Sequence, residues 1–181
     1  MQEYYDLISK NICGNDFRHL IDLLGENADF FTMNKHYFND GKPFLLGQLF
    51  EALAPFCTDT LRVCDWYCNF DMSQYYMDTA ANYRIEVQVY PSNKTTLDIL
   101  KSKCDNIYLF GKGLIPMGED LCFFKNSELF MGTVSHEWMC GVYPLTDEMS
   151  QKLQMYGKWK QFPCSDGVDI NRIKYSPRLC R

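Results

Sequence analysis

The chain has 181 residues, 46% of them hydrophobic and 15% aromatic, which is enough for a packed core and excludes disorder of the whole chain. A net charge of −5 argues against general nucleic-acid binding, which needs cations to neutralise phosphates. No segment approaches the ~18 consecutive apolar residues of a membrane span, and the start Met1-Gln2-Glu3-Tyr4-Tyr5-Asp6 is polar and acidic, so the expectation is a cytoplasmic protein that makes no membrane contact.

Residues 4–11 read as a short helix. The next helix is better marked. Phe17, Leu20, Ile21 and Leu24 repeat on one helical face, Asn15 or Asp16 can cap the start, and Gly25 can end it. After Gly41-Lys42-Pro43, the residues Leu45, Leu46, Leu49, Phe50 and Leu53 again repeat at helical spacing until Pro55. Residues 60–70 form a weaker strand candidate.

The period then changes. From Asn82 to Pro91 the chain alternates, with Ile85, Val87 and Val89 on one face and Arg84, Glu86 and Gln88 on the other. That pattern predicts a strand buried on one side. Residues 95–103 read as a short helix capped by Thr95 or Thr96. Segments 107–110, 120–124, 129–134 and 138–143 follow, separated by turn residues, and suggest an antiparallel meander. Residues 146–159 read as a helix with Met149, Leu153 and Tyr156 inward. The expected class is α+β, as one domain over 1–181: N-terminal helices, then a mainly antiparallel sheet of about 5–6 strands, with a C-terminal helix.

Nine cysteines are scattered through hydrophobic runs, at 13, 57, 64, 68, 104, 122, 140, 164 and 180. An odd number in such settings suits free, buried thiols in a reducing compartment. Cys64 and Cys68 would stand about 13 Å apart on a strand at ~3.3 Å per residue, too far to share a metal ion. Neither a metal nor a cofactor is expected.

No phosphate loop, dinucleotide fingerprint, nucleophile elbow, zincin motif or paired CxxC occurs. The most chemically loaded stretch is Ser135-His136-Glu137-Trp138-Met139-Cys140. His136 could activate a thiolate such as Cys140, as a small Cys/His-dependent hydrolase or transferase would require. Strand-like flanks favour instead a structural His136. A second candidate region is acidic and aromatic. Between Glu51 and Tyr83 five carboxylates face one cation, Arg62, and are interleaved with aromatics. Asp65, Trp66, Asp71, Tyr75, Tyr76 and Asp78 form the candidate partner-binding set, with carboxylates to steer a basic partner and rings to supply contact area.

A third possibility lies in residues 152–181, which carry seven Lys/Arg against two Asp/Glu. Lys158, Lys160, Arg172, Lys174 and Arg178 could contact a nucleic acid or nucleotide, although a basic tail lying on its own acidic body is the simpler arrangement. The leading expectation is a small binding protein that inhibits or regulates another, basic protein. Toxin-immunity proteins and anti-defence inhibitors share this general profile of size and acidity. The chain is not expected to be an enzyme.

Overall fold

The strand Phe30–Lys35 shows why the core forms as it does. Its four inner residues, Phe31, Thr32, Met33 and Asn34, are all buried, so both faces of this strand are covered. It lies near the middle of an eight-stranded antiparallel sheet in a computed structural model that describes residues 3–8, 11–35, 48–63, 66, 85–111 and 117–163. The strands are β1 (Glu3–Leu7), β2 (Phe30–Lys35), β3 (Asp59–Val63), β4 (Ile85–Pro91), β5 (Glu119–Lys125), β6 (Glu128–Val134), β7 (Met139–Val142) and β8 (Trp159–Pro163). Their order across the sheet is β3-β4-β2-β5-β6-β7-β1-β8. The helices are α1 (Gly14–Asn27), α2 (Gln48–Leu53), α3 (Lys94–Lys103) and α4 (Asp147–Leu153). Among the described residues no helix is long and apolar enough to cross a membrane.

The class is α+β, but the sheet is larger than the sequence pattern suggests and the helices are distributed along the chain. Residues 3–7 form a strand where a helix was expected. A helix over the eight residues 4–11 would be marginal without tertiary packing, whereas a strand at this position pairs on both sides, with β7 and with β8. Gly141 makes this insertion possible, because a Cβ there would collide with the Tyr4 ring. Residues 107–110 form a turn rather than a strand. Strands β2 and β8 had no clear signal, since β2 lacks polar alternation and β8 follows a helix that stops early, at Leu153.

The helices bury the faces their periodicity marks. Phe17, Leu20, Ile21 and Leu24 of α1 enter the main core with Leu49, Phe50 and Leu53 of α2, Leu97 and Leu100 of α3, and Met149 and Leu153 of α4. All four helices share this core with one face of the sheet, which contributes Phe31, Met33, Tyr90, Leu121 and Phe123. Gly25 lies inside α1 rather than at its end. Its missing side chain lets Leu97 of α3 approach the α1 backbone. The cap of α3 is Asn93, whose side chain accepts from the Thr96 backbone N–H at 3.1 Å. Thr146 caps α4 in the same way.

The other sheet face carries a second apolar cluster of Val87, Cys122, Phe124, Leu129, Val134 and Trp66, with Phe30 and Leu61 packed against it. Covering both faces changes the reading of β4. Val87 belongs to the second cluster and Tyr90 to the main core, while Glu86 is buried on the face expected to meet solvent. Gln88 is half-buried and donates from Nε2 to Glu86 Oε1 at 3.2 Å.

Val87→Asp is therefore expected to cost about 3 kcal/mol or more, because it places an unpaired charge in an apolar cluster. Gln88→Asp should cost about 1 kcal/mol, by setting a second carboxylate beside Glu86. Urea unfolding of both variants checks this ranking, and equal losses would contradict the two-sided burial of β4.

Candidate functional site

One end of the central strands holds most of the unusual backbone. Five described non-glycine residues have positive φ: Leu109, Asp120, Asn126, Ser127 and Trp138. Asn126 and Ser127 form the two-residue turn between β5 and β6, where this conformation is ordinary. The other three meet around the start of β5 and the turn that joins β6 to β7. Backbone in this region costs an ordinary residue about 1–2 kcal/mol, so surrounding contacts must hold it.

Asp120 sits in a β-bulge. Thr32 of β2 lies opposite Cys122 and Asn34 lies opposite Glu119, so two steps along β2 match three along β5. The extra residue breaks the alternation of side chains. It brings the consecutive carboxylates of Glu119 and Asp120 to the same end of the sheet, beside Asn34. Asp120 is fully buried, with Oδ2 accepting from Asn34 Nδ2 at 2.9 Å and Oδ1 accepting from the Ser135 backbone N–H at 3.0 Å. The Asp120 N–H donates in return to Ser135 Oγ at 3.0 Å. These bonds tie β2, β5 and the end of β6 together.

Ser135 opens a short 3-10 turn, Ser135–Glu137, and this turn presents the next residues outward. The His136 side chain is half exposed. Donor atoms of Glu119, Asp120 and His136 all lie within 4.8 Å of one another. Two carboxylates and an imidazole at that spacing are chemically able to hold a divalent cation or a cationic group of a ligand.

Trp138 ends the turn with φ 58° and ψ 38°. Its ring stacks on Phe110 at 5.2 Å between centroids with an 11° interplanar angle, and meets Tyr108 edge-on at 5.2 Å. The Tyr108 hydroxyl donates to the Trp138 carbonyl at 2.8 Å. Beneath them, the side-chain oxygen of buried Asn106 accepts from the Tyr108 and Phe110 backbone N–H groups, which fixes the supporting turn. The result is an aromatic shelf on which Trp138 as a whole remains 43% exposed, followed by exposed Met139.

The structure separates the residues singled out by sequence. Cys140 is buried in the main core, and its thiol is pushed well above the ordinary range by burial and, secondarily, by Asp6. It is a packing residue, and with His136 exposed the two do not make an activated nucleophile. Trp66 is only 4% exposed and packs against Phe124, so its ring supplies core area rather than contact surface. The other members of the acidic, aromatic set, Asp65, Asp71, Tyr75, Tyr76 and Asp78, lie outside the described residues, as do Arg172, Lys174 and Arg178. Lys158 and Lys160 are described and exposed, with the Lys160 ammonium over the Phe162 ring.

Sequence reasoning missed Glu119, Asp120, Tyr108 and Phe110, and weighed Trp138 only as part of the His136 stretch. The available signal was the pair Glu119-Asp120 at the mouth of an apolar strand, where a buried-strand pattern should begin with one polar residue. Comparison with known proteins returns no match: no family model, no curated protein and no solved structure.

The five described cysteines, Cys13, Cys57, Cys104, Cys122 and Cys140, are free thiols. Burial, with a smaller contribution from Asp105, pushes Cys104 up to about 12, so it stays protonated at pH 8, as does Cys140. Brief alkylation of the native protein at that pH should label exposed Cys13 before the other described cysteines and leave Cys104, Cys122 and Cys140 unmodified until denaturant is added. Peptide mass mapping checks this, and native labelling of Cys140 at the rate of Cys13 would contradict its burial.

Proposed function

We propose that this chain is a non-enzymatic binding protein that inhibits or regulates a basic protein partner, and that Trp138 anchors the contact. The observation that carries this reading is the exposed indole held on Phe110 by a strained turn. An exposed aromatic ring in a soluble protein costs hydration free energy. This one is also locked in position, so little rotamer entropy remains to be lost on binding. Exposed Met139 extends the apolar contact, and Glu137 supplies negative charge at the rim.

Charge gives the partner its sign. Outside residues 152–181 the chain carries 21 Asp/Glu against eleven Lys/Arg, a field that accelerates association with a cationic surface. Asp65, Asp71, Tyr75, Tyr76 and Asp78 belong to the same reading as a second acidic and aromatic contribution. A basic target such as a nuclease would present cations for phosphate, which carboxylates can occupy. The immunity or anti-defence role is the form of inhibition that this chemistry fits.

The test begins with a partner captured from the native cell and confirmed with purified components. Trp138→Asn removes the ring and keeps a residue that tolerates left-handed backbone. It should raise the dissociation rate about 30-fold, the size of a 2 kcal/mol anchor. Charge reversal by Asp71→Lys with Asp78→Lys should slow association and flatten its dependence on salt. Surface plasmon resonance separates the two effects. If both sets of variants bind with wild-type rates, neither Trp138 nor the acidic, aromatic set is the contact; if no basic protein partner binds the wild-type chain, the function itself is excluded.

A further inference from the structure

The group at the β5 bulge is more than an acidic cluster. It combines a buried carboxylate, a half-buried one and an imidazole from a different part of the chain, with donor atoms within 4.8 Å of one another. A second observation points to a ligand here. The Asn34 side chain is directed at Asp120, to which its Nδ2 donates, yet its Oδ1 is buried and has no hydrogen-bond partner among the described residues. A buried amide oxygen without a partner costs about 1–3 kcal/mol. As placed, the amide N–H faces Asp120, so the amide oxygen, a hard ligand, reaches a cation there only after the amide turns over. Turned over, the same amide would set its oxygen next to Asp120 Oδ2, a placement made favourable by a cation between them.

We propose that Glu119, Asp120 and His136 form a binding site for one divalent first-row metal ion, with the Asn34 amide as an adjoining oxygen donor. Two carboxylates and one imidazole suit Mn2+ or a similar ion better than a thiolate-preferring one. Asp120 approaches from the buried side and His136 from the exposed side, so solvent completes the coordination sphere. The positive charge offsets the mutual repulsion of the two consecutive carboxylates. The proposal does not rest on the binding function above, although the two places adjoin, since His136 and Trp138 belong to the same turn after β6.

Mn2+ is also the right probe, because nine cysteines would compete for Zn2+ at other places. The reduced full-length chain is titrated with Mn2+ alone, and free ion is followed by its electron paramagnetic resonance signal. One Mn2+ per chain should bind saturably and raise the melting temperature. His136→Ala alters an exposed side chain and should leave the melting of the metal-free protein unchanged while weakening Mn2+ at least tenfold. Glu119→Gln should weaken it similarly. Absence of saturable binding up to millimolar Mn2+, or one site whose affinity is the same in both variants, overturns the assignment.

Discussion

The buried carboxylate of Asp120 is the interaction on which this end of the molecule depends. A charge removed from water is tolerated only when hydrogen bonds replace its hydration. Here the replacements come from two other strands: Asn34 of β2 donates a side-chain N–H and Ser135, just past β6, donates its backbone N–H. The bulge that creates this arrangement is stable because both sides benefit. The Asp120 carboxylate gains donors, and the Ser135 hydroxyl satisfies the Asp120 N–H that the interrupted ladder leaves behind. Loss of the carboxylate would release the join between β5 and the 3-10 turn, and with it the position of His136 and Trp138.

That clamp works because the strands beneath it cannot move independently. β2 and β5 are covered on both faces, by the helical core on one side and the Val87–Trp66–Phe124 cluster on the other. A one-residue slip of either strand would exchange the two sets of side chains and put Thr32 and Asn34 into the larger core. The register is thus held from both sides, and the single extra residue at the bulge has nowhere to be absorbed. Strain collects at the sheet end, where side chains can reach solvent.

The aromatic shelf follows from the same economy. The turn at 106–110 is anchored by the Asn106 side chain and by the Tyr108 hydroxyl, so Phe110 is a fixed floor for the indole. An ordinary residue in left-handed backbone is kept there by contacts that a relaxed turn would not need. The cost falls on stability, and the product is an exposed ring with few conformations to lose.

Local pattern decided those parts of the chain where one face is apolar and the other polar. Phe17, Leu20, Ile21 and Leu24 on α1 needed no tertiary information, because the helical period shows when one side meets water, whereas 120–124 and 129–134 were legible as short apolar runs between turn residues. Of the described thiols, Cys104, Cys122 and Cys140 are buried as their apolar neighbours suggested, whereas Cys13 is exposed and Cys57 only partly covered. The covering of β4 on both sides was not legible: its alternation marks Val87 and Val89 as buried but gives no sign that Glu86 and Tyr90 on the opposite face are covered too. Nor was β1, whose five residues acquire strand geometry only from β7 and β8 on either side. The site was the least legible part. Glu119 and Asp120 lie sixteen or more residues from His136, and Asn34 is 86 residues from Asp120. Only antiparallel pairing, with one extra residue in β5, brings their side chains to one place, and no local sequence property encodes that coincidence.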